Sequence, residues 1–486
     1  MTSPREPAPT TARGSSAGAL SAAIAYITRL PGLDYLMIRL IVLALTGIGV
    51  VMVFSSSMTW SVLDTDSVWG EAVRHSVMVI IGLGLFWAAL KVPLRWVRRL
   101  APWGMLLTLL LLVLVLTPLG TGRESVGSQS WLPLGPIQVQ PSEVAKVTLS
   151  IWGATYLAGQ RYDFRNWRSP FTWYTLVAGL CFVLIFAQGD LGMALSFAVV
   201  VAFTLIFAGV AWGLVVGALV IGAVALAVVF AGGGFRAARF HTYFDALSGN
   251  FDDTQGAAFQ SYQGFLSLAD GSLTGVGLGQ SRAKWFYLPE AKNDFIFAVI
   301  GEELGLIGGG MVILLFCLLG VFGLRTALRA QNQFQALLAG TLTVGVVSQA
   351  FINIGYVVGL LPVTGIQLPM ISAGGTSAII TLTSMGLLAS VARHEPQCVS
   401  AMQNYGRPLF DRLLFLREPG LEGEKRPRED RSKLKEQRFG APVTATRTRA
   451  EESAVRRQPG GSVEPDHQRR STRPTRGGHA RRPRRR

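Results

Sequence analysis

Asp294 is the residue in this sequence that most strongly suggests chemistry. It ends the segment LPEAKND (288–294) and directly precedes an apolar run that begins at Phe295. A carboxylate in a membrane helix costs about 2.5–3.5 kcal/mol, so acids placed in such a run need a partner charge or a chemical role. Asp294 is our candidate general base, with a helix N-cap and a metal ligand as alternatives. Glu302 and Glu303 are interpreted as structural.

Three further groups of polar residues lie at the ends of apolar runs. Glu143 and Lys146 are three residues apart, which puts both on one face of a helix; they form either an intrahelical ion pair or part of a polar cavity. Asp190 lies in a short turn, where a helix cap is the alternative to a cavity role. Residues 353–377 are rich in glycine and proline and predict a broken helix at the membrane boundary, a feature that usually lines a cavity.

The apolar runs that carry these residues make up most of the chain. Hydrophobic residues account for 50% of the sequence and charged residues for 15%, and the mean hydropathy is +0.39. About ten runs approach the roughly 20 residues that a spanning helix needs, starting near residues 35, 75, 100, 143, 171, 191, 211, 295, 334 and 371. Only helices satisfy the backbone of such runs in lipid. We predict an all-α polytopic membrane protein with ten transmembrane helices and cytoplasmic termini.

Lysine and arginine residues set the predicted orientation. Basic residues mark the short connectors at 91–99, 161–168 and 325–329, which are therefore assigned to the cytoplasmic side. The connectors that then face outward are 59–74, 119–141, 188–190, 233–293 and 359–370. The 233–293 loop is too long for charge counting, so its basic residues do not contradict the assignment.

Two polar tails flank the predicted membrane domain, residues 35–394. Residues 1–34 form a cytoplasmic tail in which residues 18–30 could lie as a helix at the interface. Residues 395–486 are basic and proline-rich, and this composition predicts disorder. Such a tail suits an anionic lipid surface or acidic cytoplasmic partners, and we favour both over nucleic acid.

Other common functional signals are missing from the sequence. The 3 cysteines imply no disulfide framework, and the 5 histidines show no metal-ligand spacing. No P-loop pattern for ATP is present. The glycine cluster GVGLG (275–279) is interpreted as a turn in preference to a phosphate-binding loop.

Several motifs, taken in order, resemble those of one known family. They are WLPLG (131–135) with QPSE (140–143), DLG (190–192), LPE (288–290) with DFIFA (294–298), GEELG (301–305), and LPVTG (361–365) with ISAGGTS (371–377). On these motifs the chain is similar to the SEDS membrane proteins of bacterial cell-wall synthesis, the FtsW, RodA and SpoVE group. The resemblance covers residues 35–394, and the last motif is more similar to the division branch than to the elongation branch.

The resemblance implies ten transmembrane helices and a peptidoglycan glycosyltransferase that polymerises lipid II on the outer face of the plasma membrane. It implies a class B penicillin-binding transpeptidase as partner and the division septum as location, with other division proteins reached through the basic tail. Asp294 matches the family's essential acid. The substrate-cavity positions match Trp131, Glu143, Lys146 and Asp190.

The sequence departs from the family pattern at two places. Gly189 stands where proline is usual before the aspartate, which could loosen that turn. Lys292 and Asn293 stand where histidine and threonine are common, which alters the charge beside Asp294. Neither departure removes the candidate acid.

The implied reaction defines what else the site must contain. A sugar hydroxyl attacks the anomeric carbon of a lipid-diphosphate sugar, which requires a base for the hydroxyl proton and cations for the departing diphosphate. The candidate cations are Lys284, Lys292, Arg236 and Arg239; a divalent cation, Mg or Mn, is the alternative. No other cofactor is expected.

Two other functional classes remain as alternatives. A lipid II flippase would suit ten helices with charged residues inside them, although no internal repeat of the kind many transporters show is visible. A non-enzymatic division scaffold would leave Asp294 and the polar outer connectors unexplained.

Overall fold

The computed structural model describes residues 30–65, 67–123, 127–135, 137–161, 163, 166–231, 259–282, 284–285, 288 and 290–420. They belong to the first of two units into which the chain divides, residues 1–422. Residues 18–29 of the predicted interfacial helix, both loop arginines (Arg236 and Arg239) and the tail beyond residue 420 lie outside the described residues.

Ten apolar helices in the described part of the chain begin within six residues of the predicted starts. They are α1 (Leu33–Thr65), α2 (Gly70–Lys91), α3 (Leu94–Val115), α4 (Pro141–Leu157), α5 (Pro170–Ala187), α6 (Leu191–Phe207), α7 (Trp212–Ala231), α9 (Ile296–Arg329), α10 (Gln333–Val357) and α11 (Gly375–Arg393). A shorter helix, α8 (Phe259–Gly271), precedes α9.

Seven of these helices, within the part of the chain that is described, are long and apolar enough to cross a membrane: α1, α2, α3, α5, α9, α10 and α11. The protein is therefore a multi-pass membrane protein. Helices α4 and α6 have 17 residues each, which is at the lower limit for a span. Ten spans and the cytoplasmic placement of the termini stay predictions.

Helices α10 and α11 form the centre of the bundle. In their most apolar stretches 72% and 78% of residues are buried, against 22% in α3. Helix α11 packs along α2, and α10 packs against α9, α6 and α4. The described parts of the predicted outward connectors lie at one end of this bundle, which we call the outer end; the opposite end is the inner end.

A small β-hairpin lies at the outer end, which the all-α prediction missed. Its strands are β1 (Leu132–Leu134) and β2 (Ile137–Val139), paired antiparallel with Leu132 opposite Val139. The Thr376 hydroxyl, in the first turn of α11, donates a hydrogen bond to the carbonyl oxygen of Gln138 at 2.8 Å. The hairpin is thereby fixed to the central helix.

Helix α9 is broken at Gly305, whose φ of 67° and ψ of −167° are not helical. The segment after α8 is inserted at this break. The N–H groups of Val276 and Gly277 donate to the carbonyl oxygens of Glu302 and Glu303, at 2.9 and 3.1 Å, which would otherwise accept the next turn of the helix. The glycine cluster is thus a turn, as predicted, and it also completes the hydrogen bonding of a broken helix.

The break divides α9 into an outer segment, residues 296–304, and a longer helix, residues 306–329. At 1.5 Å per residue the longer helix covers about 36 Å, which is enough to cross a hydrocarbon core of about 30 Å by itself. The longer helix alone therefore meets the length requirement of a span, without the outer segment that carries Glu302 and Glu303.

The carboxylates of Glu302 and Glu303 anchor the inserted segment. Both residues are 1% exposed. Glu303 accepts a hydrogen bond from the Ser55 hydroxyl at 2.6 Å and lies 3.6 Å from the Lys284 ammonium. Glu302 accepts from the Ser281 hydroxyl at 2.7 Å. The two carboxylates thus join the outer segment of α9 to α1 and to the inserted segment, which is a structural role.

The folded region extends past the boundary predicted at residue 394. Two further helices, α12 (Pro396–Tyr405) and α13 (Leu409–Leu413), follow α11 at the inner end. Asp411 is fully buried; its carboxylate accepts from the Arg393 Nε at 2.7 Å and the Tyr35 hydroxyl at 2.8 Å, and lies 3.8 Å from Arg39. Composition assigned this segment to the disordered tail, because the contacts of one acid with two buried arginines cannot be seen in an average composition.

We expect Asp411→Ala to destabilise the folded state by about 3–5 kcal/mol, because it leaves two buried guanidinium groups without their carboxylate. The exposed pair Arg407–Glu418 provides the control: Glu418→Ala should change stability by less than about 1 kcal/mol. Denaturant unfolding of the detergent-solubilised proteins measures both.

A chain ending at residue 420 should unfold like the parent, whereas one ending at residue 405 should be destabilised like Asp411→Ala. Equal stability of the two truncated chains would contradict the role given to Asp411.

Candidate functional site

A cavity of about 1140 Å³ opens at the outer end of the bundle. One part of its wall is polar and includes Glu71, Arg74, His75, Glu143, Asp190 and Asp294. Another part is apolar and includes Phe182, Phe186, Leu195, Ala198 and Leu219. Polar and apolar chemistry therefore meet in one space beside the membrane.

Asp294 lies half-buried in the wall of this cavity, directly before α9. The N-cap position of α9 is Phe295, and no side chain caps the helix there. The carboxylate of Asp294 faces the segment that precedes α11: a Cβ built on Gly365 would lie 3.6 Å from its Oδ2 atom. Phe295 therefore occupies the N-cap position itself, and a cap role stays an alternative for Asp294.

The main chain around Asp294 is held by side chains from the buried outer end of α10. The carbonyl oxygen of Asp294 accepts hydrogen bonds from the Asn353 Nδ2 and the Tyr356 hydroxyl, both at 2.9 Å. The Ser372 hydroxyl donates to the carbonyl oxygen of Asn293 at 2.7 Å. Asn353 is 0% and Tyr356 1% exposed. The acid is therefore carried on a fixed backbone.

An ion pair connects the same loop to α2. The Lys292 ammonium lies 3.2 Å from the carboxylate of Glu71, in the first turn of α2, and each side chain is about one-fifth exposed (19% and 21%). Glu290, which starts the loop, has a φ of 54° and accepts a hydrogen bond from the Asn293 amide at 2.6 Å. The loop that presents Asp294 is a tight, partly strained turn.

Glu143 and Lys146 form the intrahelical ion pair that was one of the two predicted alternatives. Their side chains lie 3.2 Å apart and are 4% and 6% exposed. The Gln349 amide bridges them, donating to Glu143 at 3.2 Å and accepting from Lys146. Glu143 also lines the large cavity, whereas Lys146 lies behind it against a separate void of about 20 Å³.

Asp190 caps α6, the alternative role predicted for it, and it lines the cavity as well. Its carboxylate accepts from the Met193 N–H at 2.9 Å and the Gln140 amide at 3.0 Å. Burial raises the pKa of Asp190 to about 6. The preceding Gly189 has a φ of 90°, which proline cannot adopt. The departure from the family pattern is thus part of a different local turn.

Trp131 lines the cavity from the connector that leads into the hairpin. Its main chain pairs with that of Thr121 as an isolated antiparallel bridge, in which the Thr121 N–H donates to the Trp131 carbonyl oxygen at 2.8 Å. The ring is half-buried.

The candidate cations are distributed unevenly. Lys292 lines the cavity, while Lys284 is buried beside Glu303 and is not part of the cavity wall. Arg236 and Arg239 cannot be placed, since they lie outside the described residues. Across the described part of the chain no group of three or more His, Cys, Asp or Glu side chains could hold a metal, and the divalent cation stays a prediction.

Sequence reasoning missed the cavity residues of α2. Glu71, Arg74, His75 and Met78 all line the cavity, and their spacing places them on one helix face. The signal was present, because these residues open an apolar run as Glu143 and Lys146 do. It was overlooked because 59–74 was treated as a connector and the histidines were considered only as metal ligands.

The helices and the cavity define a multi-pass membrane protein with an amphipathic site open at one end. A family model described as "Cell cycle protein", for the FtsW, RodA and SpoVE group, matches residues 35–397. The probable peptidoglycan glycosyltransferase FtsW of Mycobacterium tuberculosis is 39% identical over 386 residues, which is 79% of this chain and 73% of that protein. Stage V sporulation protein E of Bacillus subtilis is 34% identical, covering 74% and 97%.

Two solved structures are similar in fold. A chain from "Structural coordination of polymerization and crosslinking by a peptidoglycan synthase complex" aligns with a TM-score of 0.60 and 26% identity, over 74% of this chain and 98% of its own length. The rod shape determining protein RodA of Thermus thermophilus aligns with a TM-score of 0.54 and 26% identity, covering 74% and 96%. This chain belongs to the FtsW, RodA and SpoVE family, and the resemblance seen in the sequence is confirmed.

We expect Lys146→Met to destabilise the protein by about 3–5 kcal/mol, because it leaves the buried Glu143 carboxylate without its cation. Adding Glu143→Gln should recover most of that loss, since a neutral pair needs no compensation. Unfolding of the two variants in detergent measures the difference. Lys91→Met, which removes an exposed ammonium from the Trp87 ring, is the control and should cost about 1 kcal/mol or less. Additive losses in the double variant would contradict the pairing.

Proposed function

We propose that this chain is a peptidoglycan glycosyltransferase that polymerises lipid II at the outer face of the plasma membrane during septal wall synthesis. The observation that carries the proposal is the cavity in which Asp294 lies beside both cationic and apolar walls. The family relationship supports it, since relatives in that family are named peptidoglycan glycosyltransferases.

The shape of the cavity suits a substrate with a polar head and a lipid chain. Phe182, Leu195 and Leu219 form an apolar wall contributed by α5, α6 and α7. The opposite, polar wall comes from α2, the Asp294 loop and the start of α11. A volume of about 1140 Å³ exceeds the usual range for small-molecule pockets, roughly 300–1,000 Å³. An extended ligand such as a lipid-linked disaccharide fits this description.

Asp294 takes the proton of the attacking sugar hydroxyl as a general base. The new bond joins that oxygen to the anomeric carbon, and the bond from that carbon to the diphosphate breaks, with its electron pair leaving on the diphosphate oxygen. Charge develops on the leaving group, where fixed cations and dipoles lower the barrier most. The hydrogen bonds that the Asn353 and Tyr356 side chains donate to the Asp294 carbonyl oxygen hold the base in place for this step.

Arg74, Lys292 and the first turn of α11 surround the polar part of the cavity and supply positive charge for the diphosphate. Arg74 and Lys292 line it from α2 and from the Asp294 loop. Gly374 and Gly375 bring the N-terminus of α11 to the same wall, and the first N–H groups of a helix have no acceptor within that helix. A helix N-terminus also carries partial positive charge that favours an anion.

A class B penicillin-binding transpeptidase is the proposed partner. The similar chain of TM-score 0.60 comes from a peptidoglycan synthase complex that coordinates polymerisation and crosslinking, as its description states. Joining the two activities in one assembly would deliver new glycan directly to crosslinking. The basic residues beyond residue 420 provide a separate means of contacting acidic division proteins or lipid.

Asp294→Asn should lower glycan formation from labelled lipid II by about 10²–10⁴-fold, the usual worth of general acid–base catalysis. Asparagine keeps the size of the side chain but cannot take up a proton near neutral pH. Insertion in the membrane and lipid II binding should stay parental. Polymerisation is measured with the detergent-solubilised protein, alone and with its transpeptidase partner.

Asp270→Asn is the matched control, because Asp270 is an exposed acid of α8 outside the cavity, and it should stay fully active. Partial recovery of Asp294→Asn at high divalent-cation concentration would indicate a metal ligand. Near-parental activity of Asp294→Asn would contradict the proposed mechanism. Lipid II movement across vesicles by a parent that makes no glycan would favour the flippase instead.

A further inference from the structure

His75 is a buried cavity residue whose ring has no hydrogen-bond partner in the described part of the chain. It is 3% exposed and lines the large cavity. Neither ring nitrogen finds a hydrogen-bond partner among the described residues. An imidazole always carries at least one N–H donor, and burying a donor without an acceptor is costly. Such a group, facing a cavity, can be satisfied by an acceptor that a ligand brings.

The position of His75 along α2 indicates which part of a ligand it meets. It follows Glu71 by four residues, so it lies on the same helix face about 6 Å further into the bundle. Glu71 is paired with Lys292, which precedes Asp294 by two residues. His75 is therefore about one helical turn closer to the membrane interior than the loop that carries the base.

The helix packing around His75 brings further donors close by. Arg74, its neighbour in sequence, also lines the cavity. One turn along, Met78 packs against the start of α11: a Cβ built on Gly375 would lie 3.1 Å from the Met78 Cγ. The N–H groups at the start of α11 have no acceptor within that helix. The cavity wall near His75 therefore includes further hydrogen-bond donors.

We propose that His75 binds the departing diphosphate of the lipid-linked donor from the membrane side, donating its ring N–H to a phosphate oxygen. This inference rests on the proposed function. In a lipid-linked sugar the diphosphate is the polar group nearest the membrane, with the sugar beyond it. Asp294 at the outer level and His75 one turn deeper therefore match the order of acceptor hydroxyl, anomeric carbon and diphosphate.

The role of His75 adds no step to the reaction. The hydroxyl proton passes to Asp294, the glycosidic bond forms, and the electron pair of the broken bond stays on the diphosphate. The histidine N–H strengthens its hydrogen bond as negative charge grows on that oxygen. Interactions that are stronger in the transition state than in the ground state raise kcat.

The test compares His75→Phe and His75→Gln with the parent. A polyprenyl diphosphate, the leaving group itself, should bind His75→Phe about 10–100-fold more weakly, the usual worth of a hydrogen bond to a charged group. The kcat for polymerisation should fall by a similar factor. His75→Gln restores one N–H donor and should recover part of both losses. Thermal unfolding of His75→Phe should equal or exceed that of the parent, because phenylalanine removes unpartnered buried nitrogens.

Ser76→Ala is the control, since the Ser76 hydroxyl donates to the Ala72 carbonyl in its own helix and Ser76 is not part of the cavity lining; it should leave binding and kcat parental. Parental diphosphate binding and kcat in a well-folded His75→Phe protein would overturn the inference. If His75→Phe does not fold, His75→Gln decides: equal loss of binding and stability would make the residue merely structural and also overturn it. A parent that binds polyprenyl diphosphate but makes no glycan would defeat the proposed function and leave the His75 contact testable by binding alone.

Discussion

The outer end of this protein depends on a few buried hydrogen bonds between side chains of α10 and main-chain carbonyls. Asn353 donates to Asp294 and to Ile366 at 2.9 and 2.6 Å, and the Tyr356 hydroxyl reaches the same two oxygens at 2.9 and 2.6 Å. Two irregular segments of distant sequence are thereby joined to one rigid helix. Irregular backbone near a membrane is stable only where protein or a cavity satisfies it, so these bonds make the cavity possible.

Charged side chains are arranged differently at the two ends of the bundle. At the inner end, Asp34 lies within 3.2 Å of Arg325 and Arg329, and Asp411 contacts a second pair of arginines. These networks join α1, α9 and the segment after α11, and they close that end. At the outer end the polar groups instead surround space. Charge pairing therefore closes one end of the bundle and leaves a reactive site at the other.

Hydrophobic periodicity was sufficient to predict the helices, since all ten starts coincide with apolar runs and apolar length is a direct physical requirement of lipid. Spacing alone also placed Glu143 and Lys146 on one helix face, with their ion pair as one of two alternatives. The hairpin, the folded segment around Asp411 and the inserted segment at Gly305 did not, because each depends on contacts between residues far apart in sequence. Asp294 was found because an acid beside an apolar run is conspicuous. His75 was not, because its significance lies in partners that it lacks in the folded chain.

The break in α9 has a mechanical consequence. Asp294 lies about 16 Å along the helix from Gly305, so a rotation of about 10° at the break displaces the acid by roughly 3 Å. An error of about 1 Å in the placement of a catalytic group can cost 10² in rate. The hydrogen bonds from Val276 and Gly277 hold that angle from the side. The outer segment is held at both ends, by Val276 and Gly277 near Gly305 and by Asn353 and Tyr356 at Asp294, so a displacement of the acid requires both sets of hydrogen bonds to change.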